Sequence, residues 1–308
     1  MHISITGGSG YLAGRISEYF SKIESNKISL ISRSPKNIEL SDNVFAVNLN
    51  DRTALESCIY GSDIIIHTAG YNSHAAARQS KDALEFAKTS IENITSLLNP
   101  NESPKVIYLS TAHVYRNPLV GEIDELTKLD NLHPYALANI EGEKTLLHKA
   151  KKIDFHAIVL RISNCFGLPA NQSQECWNLV LNEMCLSAIN KKLININGPE
   201  NAVRNFLPMR TFLAQLDLLM NSKKEEYPNI INLAHSRSYT MKEVATIIKN
   251  RCMSLLDFEP LIIFHDESKD TFKLNYKSKF LKLPFDVEMN FYLELDEMLS
   301  TIYQKLSI

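Results

Sequence analysis

Two hydrophobic rhythms alternate along the first half of this chain. Short apolar runs at 3–6, 27–32, 44–48, 63–67, 105–110 and 155–161 have the length of strands. The run at 63–67 is apolar throughout its middle, as a strand buried on both faces requires. Between the runs lie stretches of helical composition at 11–23, 75–98 and 134–151, with a short one reaching Cys58 that Asp51 opens. Pro134 suits a first helical turn, and Asn99-Pro100 is a stop. Strands alternating with helices predict an α/β fold, a parallel sheet covered on both faces. Right-handed crossovers then bring all the strand ends to one edge. Beyond residue 165 the alternation loosens. Helices are expected at 177–190, 240–251 and 293–306, short strands at 193–196 and 230–234, and a turn at Gly198-Pro199. Thr240 and Glu243 have the spacing of a capping box. The expected division is therefore 1–165 and a smaller α/β region at 166–308, with segments returning to the main sheet.

The first run ends in Gly7-Gly8-Ser9-Gly10 and passes directly into the Tyr11 helix. Strand, glycine turn and helix together are the setting in which such a motif carries meaning. Gly7 permits the tight turn, Gly10 lets backbone approach a pyrophosphate, and Ala13 is small enough for helix to pack on strand. The helix N-terminus offers N–H groups and a positive dipole end to phosphates. The expectation is a Rossmann-type doubly wound sheet holding a dinucleotide. At the end of the second strand an acidic residue would favour NAD. Ser32 and Arg33 stand there instead, with Lys36 nearby. A hydroxyl and a guanidinium suit a 2′-phosphate, so NADP is preferred over NAD.

Composition narrows the classes further. A formal charge of −2 over 308 residues makes no electrostatic case for nucleic acid. No run of 18 apolar residues suggests a membrane span, and a strand starting two residues after Met1 leaves no space for a signal peptide. Cys58, Cys165, Cys176, Cys185 and Cys252 are scattered without metal-ligand spacing and read as packed thiols in a reducing cytoplasm. His67, last in its strand, reads as a packed residue. Ser110-Thr111 ends the fifth strand at the ligand edge, and Tyr135 opens the following helix. Their hydroxyls together suit a substrate alcohol or carbonyl, Tyr135 as acid or base and Thr111 orienting the bond.

These motifs together resemble the extended short-chain dehydrogenase/reductases, the NAD-dependent epimerase/dehydratase type that acts on nucleotide sugars, over essentially the whole chain. Thr6-Gly7-Gly8-Ser9-Gly10-Tyr11-Leu12-Ala13 matches the family's T-G-x-x-G-x-x-G/A loop, and His67-Thr68-Ala69-Gly70 its H-x-A-A/G strand end. Ser110-Thr111-Ala112-His113-Val114-Tyr115 matches S-[ST]-x-x-V-Y, and Pro134-Tyr135 the start of P-Y-x-x-x-K. Leu160-Arg161-Ile162-Ser163-Asn164-Cys165-Phe166-Gly167 is similar to L-R-x-x-N-x-[YF]-G, Val203-Arg204-Asn205-Phe206 to the R-D-[FY] element, and Ile231-Asn232-Leu233 with Thr240 to a late N-[LV]-x-x-x…T element. The resemblance implies Thr111, Tyr135 and Asn139 as the catalytic group. It implies a dinucleotide held by Gly7, Gly8, Ser9, Gly10, Tyr11, Leu12, Arg33, Asn48, Leu49, Thr68, Ala69, Gly70, Ser110, Tyr135 and Asn139. His113, Asn164 and Arg204 would meet a nucleotide-sugar substrate, with Arg204 on its diphosphate. A homodimer built as a four-helix bundle would use 75–98 and 135–151.

Three departures bear on the chemistry. The family lysine four residues after the tyrosine is Asn139, which still hydrogen-bonds a ribose but brings no charge to the phenol. One charge at roughly 5 Å and an effective dielectric of about 20 is worth about 3 kcal/mol. Ala112-His113 replaces the Asp-Glu of the 4,6-dehydratases, which argues against dehydration, and Asn205 replaces the aspartate after Arg204. The expected activity is an NAD(P)-dependent 4-ketoreductase or epimerase of nucleotide sugars serving polysaccharide or deoxysugar synthesis. The alternatives are a non-catalytic dinucleotide-binding protein and a reductase of small carbonyl compounds.

Overall fold

A computed structural model describes residues 1–34, 43–171, 174–266, 273–281 and 287–306. Lys36 lies outside the described residues. Seven strands form one parallel sheet: β1 (His2–Thr6), β2 (Lys27–Ser32), β3 (Val44–Ala46), β4 (Ile64–His67), β5 (Lys105–Thr111), β6 (His156–Ile162) and β7 (Ile230–Leu233). Their order across the sheet is 7-6-5-4-1-2-3. Register is set by pairs such as Ile5↔Leu30, Ile5↔Ile66, Ile66↔Ile107 and Ile107↔Ile158. The seventh strand returns late and pairs Ile231 with Leu160.

The period of two along each strand divides the core. Ile3, Ile5, Ile64, Ile66, Ile107 and Ile158 face one side, where they pack with Ile16 and Phe20 of α1 (Tyr11–Ser21). Ile65 faces the other side with Leu55 and Cys58 of α2 (Arg52–Ile59). Val106, Tyr108 and Val159 share that second side with Ile91 and Leu146. The expected helix at 75–98 is two helices, α3 (Ser73–Arg78) and α4 (Ser80–Ser96). They are separated at Gln79, whose ψ of 55° departs from helical geometry. Next comes α5 (Pro134–Ala150), packed along α4.

A second apolar core is assembled wholly from residues after 165. It gathers Leu181 and Cys185 of α6 (Val180–Lys191), Val244 and Ile248 of α8 (Met241–Leu256), and Leu295 and Leu299 of α9 (Val287–Leu306). The α8 capping box forms as expected. Between α6 and α8, α7 (Met209–Met220) packs on the main sheet beside α1 through Phe212, Leu216 and Leu219. It goes beyond the elements expected above, although its apolar residues recur at helical spacing. The Gly198-Pro199 turn is instead the end of a strand, Leu193–Pro199, paired with Leu261–Asp266. Among the described residues, no helix is long and apolar enough to cross a membrane. All five cysteines are free.

His67 is packed, 1% exposed. Its Nδ1 pairs with Thr6 Oγ1 (2.6 Å) and its Nε2 with Ser90 Oγ (3.1 Å). Burial lowers its pKa from 6.5 to about 4, so the folded protein keeps it neutral. As pH falls below 6.5 the unfolded chain takes this proton first, and stability drains until the folded value is reached. The loss by pH 4 is at most about 3 kcal/mol. Urea midpoints should therefore drop between pH 7 and pH 5, and less steeply in His67→Gln.

Candidate functional site

The strands of the seven-stranded parallel sheet end on one edge, and the glycine turn sits there. Gly7 has φ +75°, and a Cβ on it would lie 2.7 Å from Thr68 Oγ1 and 2.8 Å from the Ala69 nitrogen. The turn closes with Gly10 N–H donating to Gly7 O (2.8 Å), and Gly8 N–H donates to Ile31 O (3.0 Å). The helix that follows has no side-chain cap and no acidic residue in its first turn. That leaves an N-terminus suited to an anion. Ser32 Oγ donates to Ser9 Oγ (3.1 Å), and Ser34 N–H donates to Ser32 Oγ (3.4 Å).

Two clefts meet over this edge. One is lined by Gly7, Ser9, Gly10, Ser32, Arg33, Ser34, Val47 and Leu49, the other by Tyr108, Leu109, Tyr135, Ala138 and Asn139. They share Thr68, Ala69, Gly70, Tyr71 and Phe86. The combined groove runs from a hydroxyl and guanidinium end, past a glycine turn and open helix terminus, to a phenol. A Cβ at Gly7 would strike Thr68 and Ala69, which line the groove, so glycine is required there, and the cradle has the length and donors for a diphosphate-bridged dinucleotide.

At the far end Tyr135 stands in the first turn of α5. Pro134 is at the first helical position, and His133 Nδ1 accepts from Tyr135 N–H (3.2 Å). The phenol faces the side chains of Thr111 and Asn139. Burial raises its pKa above 10, and hydrogen bonding from those two side chains opposes the rise in part. Among the described residues no cation contributes. Thr111 Oγ1 accepts from His113 N–H (3.2 Å), leaving its own hydrogen to donate. Asn131, 7% exposed, ties the two halves of the site. Its Nδ2 donates to His113 O (2.6 Å), and its Oδ1 accepts from His133 N–H (2.9 Å).

A third pocket opens beyond Thr111, lined by His113, Asn117, Leu119, Asn164, Val203, Arg204 and Leu274. Burial lowers the pKa of Arg204, and among the described residues no carboxylate pairs with it. Its Nε is buried without a partner. His113 has its pKa lowered by burial first, then by Arg204 and His133, which keeps the ring neutral at pH 7. Asn164 Nδ2 donates to Asn205 O (2.9 Å). Asn205 is fully buried, its amide donating to His235 O (3.0 Å) and Arg237 O (3.1 Å), so it braces this pocket from behind.

The structure places most, and not all, of the expected dinucleotide residues on the groove. Gly8, Tyr11, Leu12, Asn48 and Ser110 do not line it. Tyr11 Oη donates to Gly167 O (2.9 Å), and Leu12 packs on the main core. Only backbone N–H groups of these two face the helix terminus. Asn48 Oδ1 is turned onto Asn50 N–H (3.1 Å), while its neighbours Val47 and Leu49 reach the groove. Ser110 Oγ donates to Glu143 Oε1 (2.5 Å) inside the protein. Sequence reading passed over Tyr71, Phe86 and Tyr108, which line the groove, and Asn131, which braces it. Asn131 lies two residues before His133 and carries no motif, so only its contacts reveal it.

Comparison with known proteins agrees with this fold. The model of the NAD dependent epimerase/dehydratase family matches residues 3–234. Saccharopine dehydrogenase [NADP(+), L-glutamate-forming] of Schizosaccharomyces pombe is 27% identical over 265 residues, 79% of this chain. The chain spans about half the length of that relative, 52%. Among solved structures, UDP-N-acetylglucosamine 4-epimerase from Methanobrevibacter ruminantium M1, in complex with UDP-N-acetylmuramic acid, superposes with a TM-score of 0.82. It is 19% identical and covers 100% of this chain and 99% of its own. UDP-glucuronic acid 4-epimerase from Bacillus cereus, in complex with UDP-glucuronic acid and NAD, gives 0.73 at 15% identity, covering 99% and 98%. The glycine turn, the groove along the strand ends and the family match over residues 3–234 lead to one statement: this chain belongs to the NAD dependent epimerase/dehydratase family.

Proposed function

We propose that the protein is an NADP-dependent reductase of a nucleotide-4-ketosugar. The observation that carries this reading is the buried Tyr135 phenol facing Thr111, with its pKa raised and, among the described residues, no cation beside it. A phenol so placed keeps its proton at neutral pH. It serves as an acid toward a carbonyl oxygen and poorly as a base toward an alcohol. Reduction needs only the first of these, whereas epimerisation needs both. When bound, the dinucleotide supplies the hydride from its nicotinamide ring. Gly7, Gly10 and the N-terminus of α1 would hold its diphosphate, and Thr68–Gly70 its middle. Thr111 orients the substrate carbonyl. As the carbonyl carbon gains hydride, the oxygen takes the Tyr135 proton, and solvent returns a proton to the phenol.

Ser9, Ser32, Arg33 and Ser34 line the other end of the groove, and among the described residues no carboxylate lines it, which supports the NADP preference. The Schizosaccharomyces pombe relative carries NADP(+) in its name, and the Bacillus cereus structure carries NAD. Arg204, buried and without a carboxylate partner, suits a substrate diphosphate, with Asn164 and His113 beside it. Arg204→Ala should raise KM about 10- to 100-fold with a smaller change in kcat, and Arg204→Lys should recover part of the loss. Steady-state kinetics read both constants. A reductase of small carbonyl compounds would show no such KM change. We also assign the protein a homodimer through α4 and α5, whose outer faces expose Leu84 and Leu137. Its mass in solution tests that assignment. The second core, built from residues after 165, supports a division near that residue, with α7 and β7 returning to the main sheet.

The function is tested by mixing the protein with NADPH and a set of nucleotide-4-ketosugars. Loss of NADPH absorbance is the expected result. Absence of turnover with every ketosugar, alongside NAD-driven interconversion of UDP-hexoses, would establish an epimerase instead. One observation favours a second reading, a dinucleotide-binding protein without turnover: Asn139 replaces the charge that would lower the phenol pKa. It predicts binding without oxidation, and indifference to Tyr135→Phe.

A further inference from the structure

Asn139 is held from three directions, and the residues that hold it belong to no motif. Tyr108 of β5 donates its phenolic hydrogen to Asn139 Oδ1 (3.2 Å). Asn139 Nδ2 donates to the backbone oxygen of Tyr135 one turn earlier (2.8 Å). Its second N–H faces the Tyr135 phenol. This leaves the amide one lone pair, and Asn139 lines the groove beside Thr68, Gly70 and Tyr135. The phenol reaches this position because residue 142, three places further along α5, is glycine. A Cβ there would lie 2.6 Å from Tyr108 Oη and 2.7 Å from Cζ. Glycine inside a helix is unfavourable by about 1 kcal/mol relative to alanine, so its presence calls for a packing reason. The Tyr108 ring is itself braced. It stacks on His67 with centroids 5.6 Å apart and planes at 25°. Both nitrogens of that histidine are fixed by Thr6 and Ser90.

We propose that Tyr108 is a positioning residue that acts through Asn139. It turns the free lone pair of that amide toward the hydroxyls of the nicotinamide-side ribose, with Gly142 as the required gap. A phenol and an amide on two elements thereby share the ribose-holding duty of one long side chain. This inference rests on the dinucleotide reading of the groove.

The test is binding, measured by calorimetry with two ligands. NADPH contains the nicotinamide-side ribose, and adenosine 2′,5′-bisphosphate lacks it. Tyr108→Phe keeps the ring and its stacking on His67 and removes only the hydroxyl. The expected result is a rise in Kd for NADPH of about fivefold to tenfold, with no change for the bisphosphate. Asn139→Ala should give the same pattern, and adding Tyr108→Phe to it should cost nothing further. Gly142→Ala should reproduce the NADPH loss by displacing the phenol. The melting temperature of each unliganded variant shows that it is folded. Equal losses for both ligands, additive losses in the double variant, or no loss in Tyr108→Phe would each overturn the proposal. Wild-type protein that binds both ligands equally well would overturn it alone, while wild-type protein that binds neither would overturn the dinucleotide reading as well.

Discussion

Tyr135→Phe is expected to slow carbonyl reduction by about 10²- to 10⁴-fold, a loss far larger than any change in NADPH affinity. The ring is kept, so the packing of α5 against the groove is kept, and only the proton donor disappears. The direction of the phenol pKa adds a second signature. Burial holds it above 10, opposed in part by Thr111 and Asn139. The reducing rate should therefore be flat across neutral pH, where the phenol is always protonated. The reverse oxidation of the alcohol needs the phenolate, so it should be slow at neutral pH and climb as pH rises. Asn139→Lys puts a cation on the same helix face, about 3 kcal/mol of stabilisation for a phenolate at roughly 5 Å and an effective dielectric of about 20. That variant should shift the oxidation profile toward lower pH. Initial rates in both directions, with wild type and the two variants, read all of this. An unchanged reducing rate in Tyr135→Phe would remove the tyrosine from the chemistry.

Glu143→Ala is expected to lower the unfolding free energy by about 3–5 kcal/mol. Glu143 and Arg161 have side-chain exposures of 3% and 4%, with Oε2 and Nη2 2.6 Å apart and Nε donating to the same carboxylate at 3.0 and 3.2 Å. Arg161 also donates to Tyr115 Oη (3.0 Å), which donates to Asn232 Oδ1 (2.7 Å). The ion pair alone is weak evidence for stability, since burying both charges is costly. Removing one partner is different, because it leaves a guanidinium without a counter-charge inside the sheet. A domain with 5–15 kcal/mol in hand loses a large share of it. Glu143 also accepts from Ser110, so the network sets the strand end that presents Thr111. Urea denaturation measures the loss. Glu143→Gln keeps an acceptor and should fall between. A change under about 1 kcal/mol would mean that water reaches Arg161 and pairs it.

The main sheet and the glycine turn were legible in the residues because each follows from local chemistry. The alternation of Ile64, Ile65 and Ile66 between two apolar cores is the period of two written into the chain. Gly7 is required where a Cβ would strike Thr68 and Ala69. Other features depend on partners far along the chain. The break at Gln79 interrupts a stretch whose composition is helical on both sides. Gly142 reads as a weak helix residue until Tyr108, 34 positions earlier, is seen to occupy its gap. Asn48 and Ser110 sit beside groove residues yet turn away, since a local turn claims one and a buried carboxylate the other. Arg204 was named by its motif, and its setting adds that it is buried and that among the described residues no carboxylate pairs with it.

The claim on which the account depends is that one groove runs from the glycine turn to the Tyr135 phenol and carries a dinucleotide. A crystal structure of the protein soaked with NADP measures this directly. The account predicts the diphosphate at the N-terminus of α1 beside Gly7 and Gly10, the 2′-phosphate at Ser32 and Arg33, and the nicotinamide ring against Thr111 and Tyr135. A groove that stays empty at saturating NADP and NAD, or a nicotinamide ring seated away from those two hydroxyls, would contradict it.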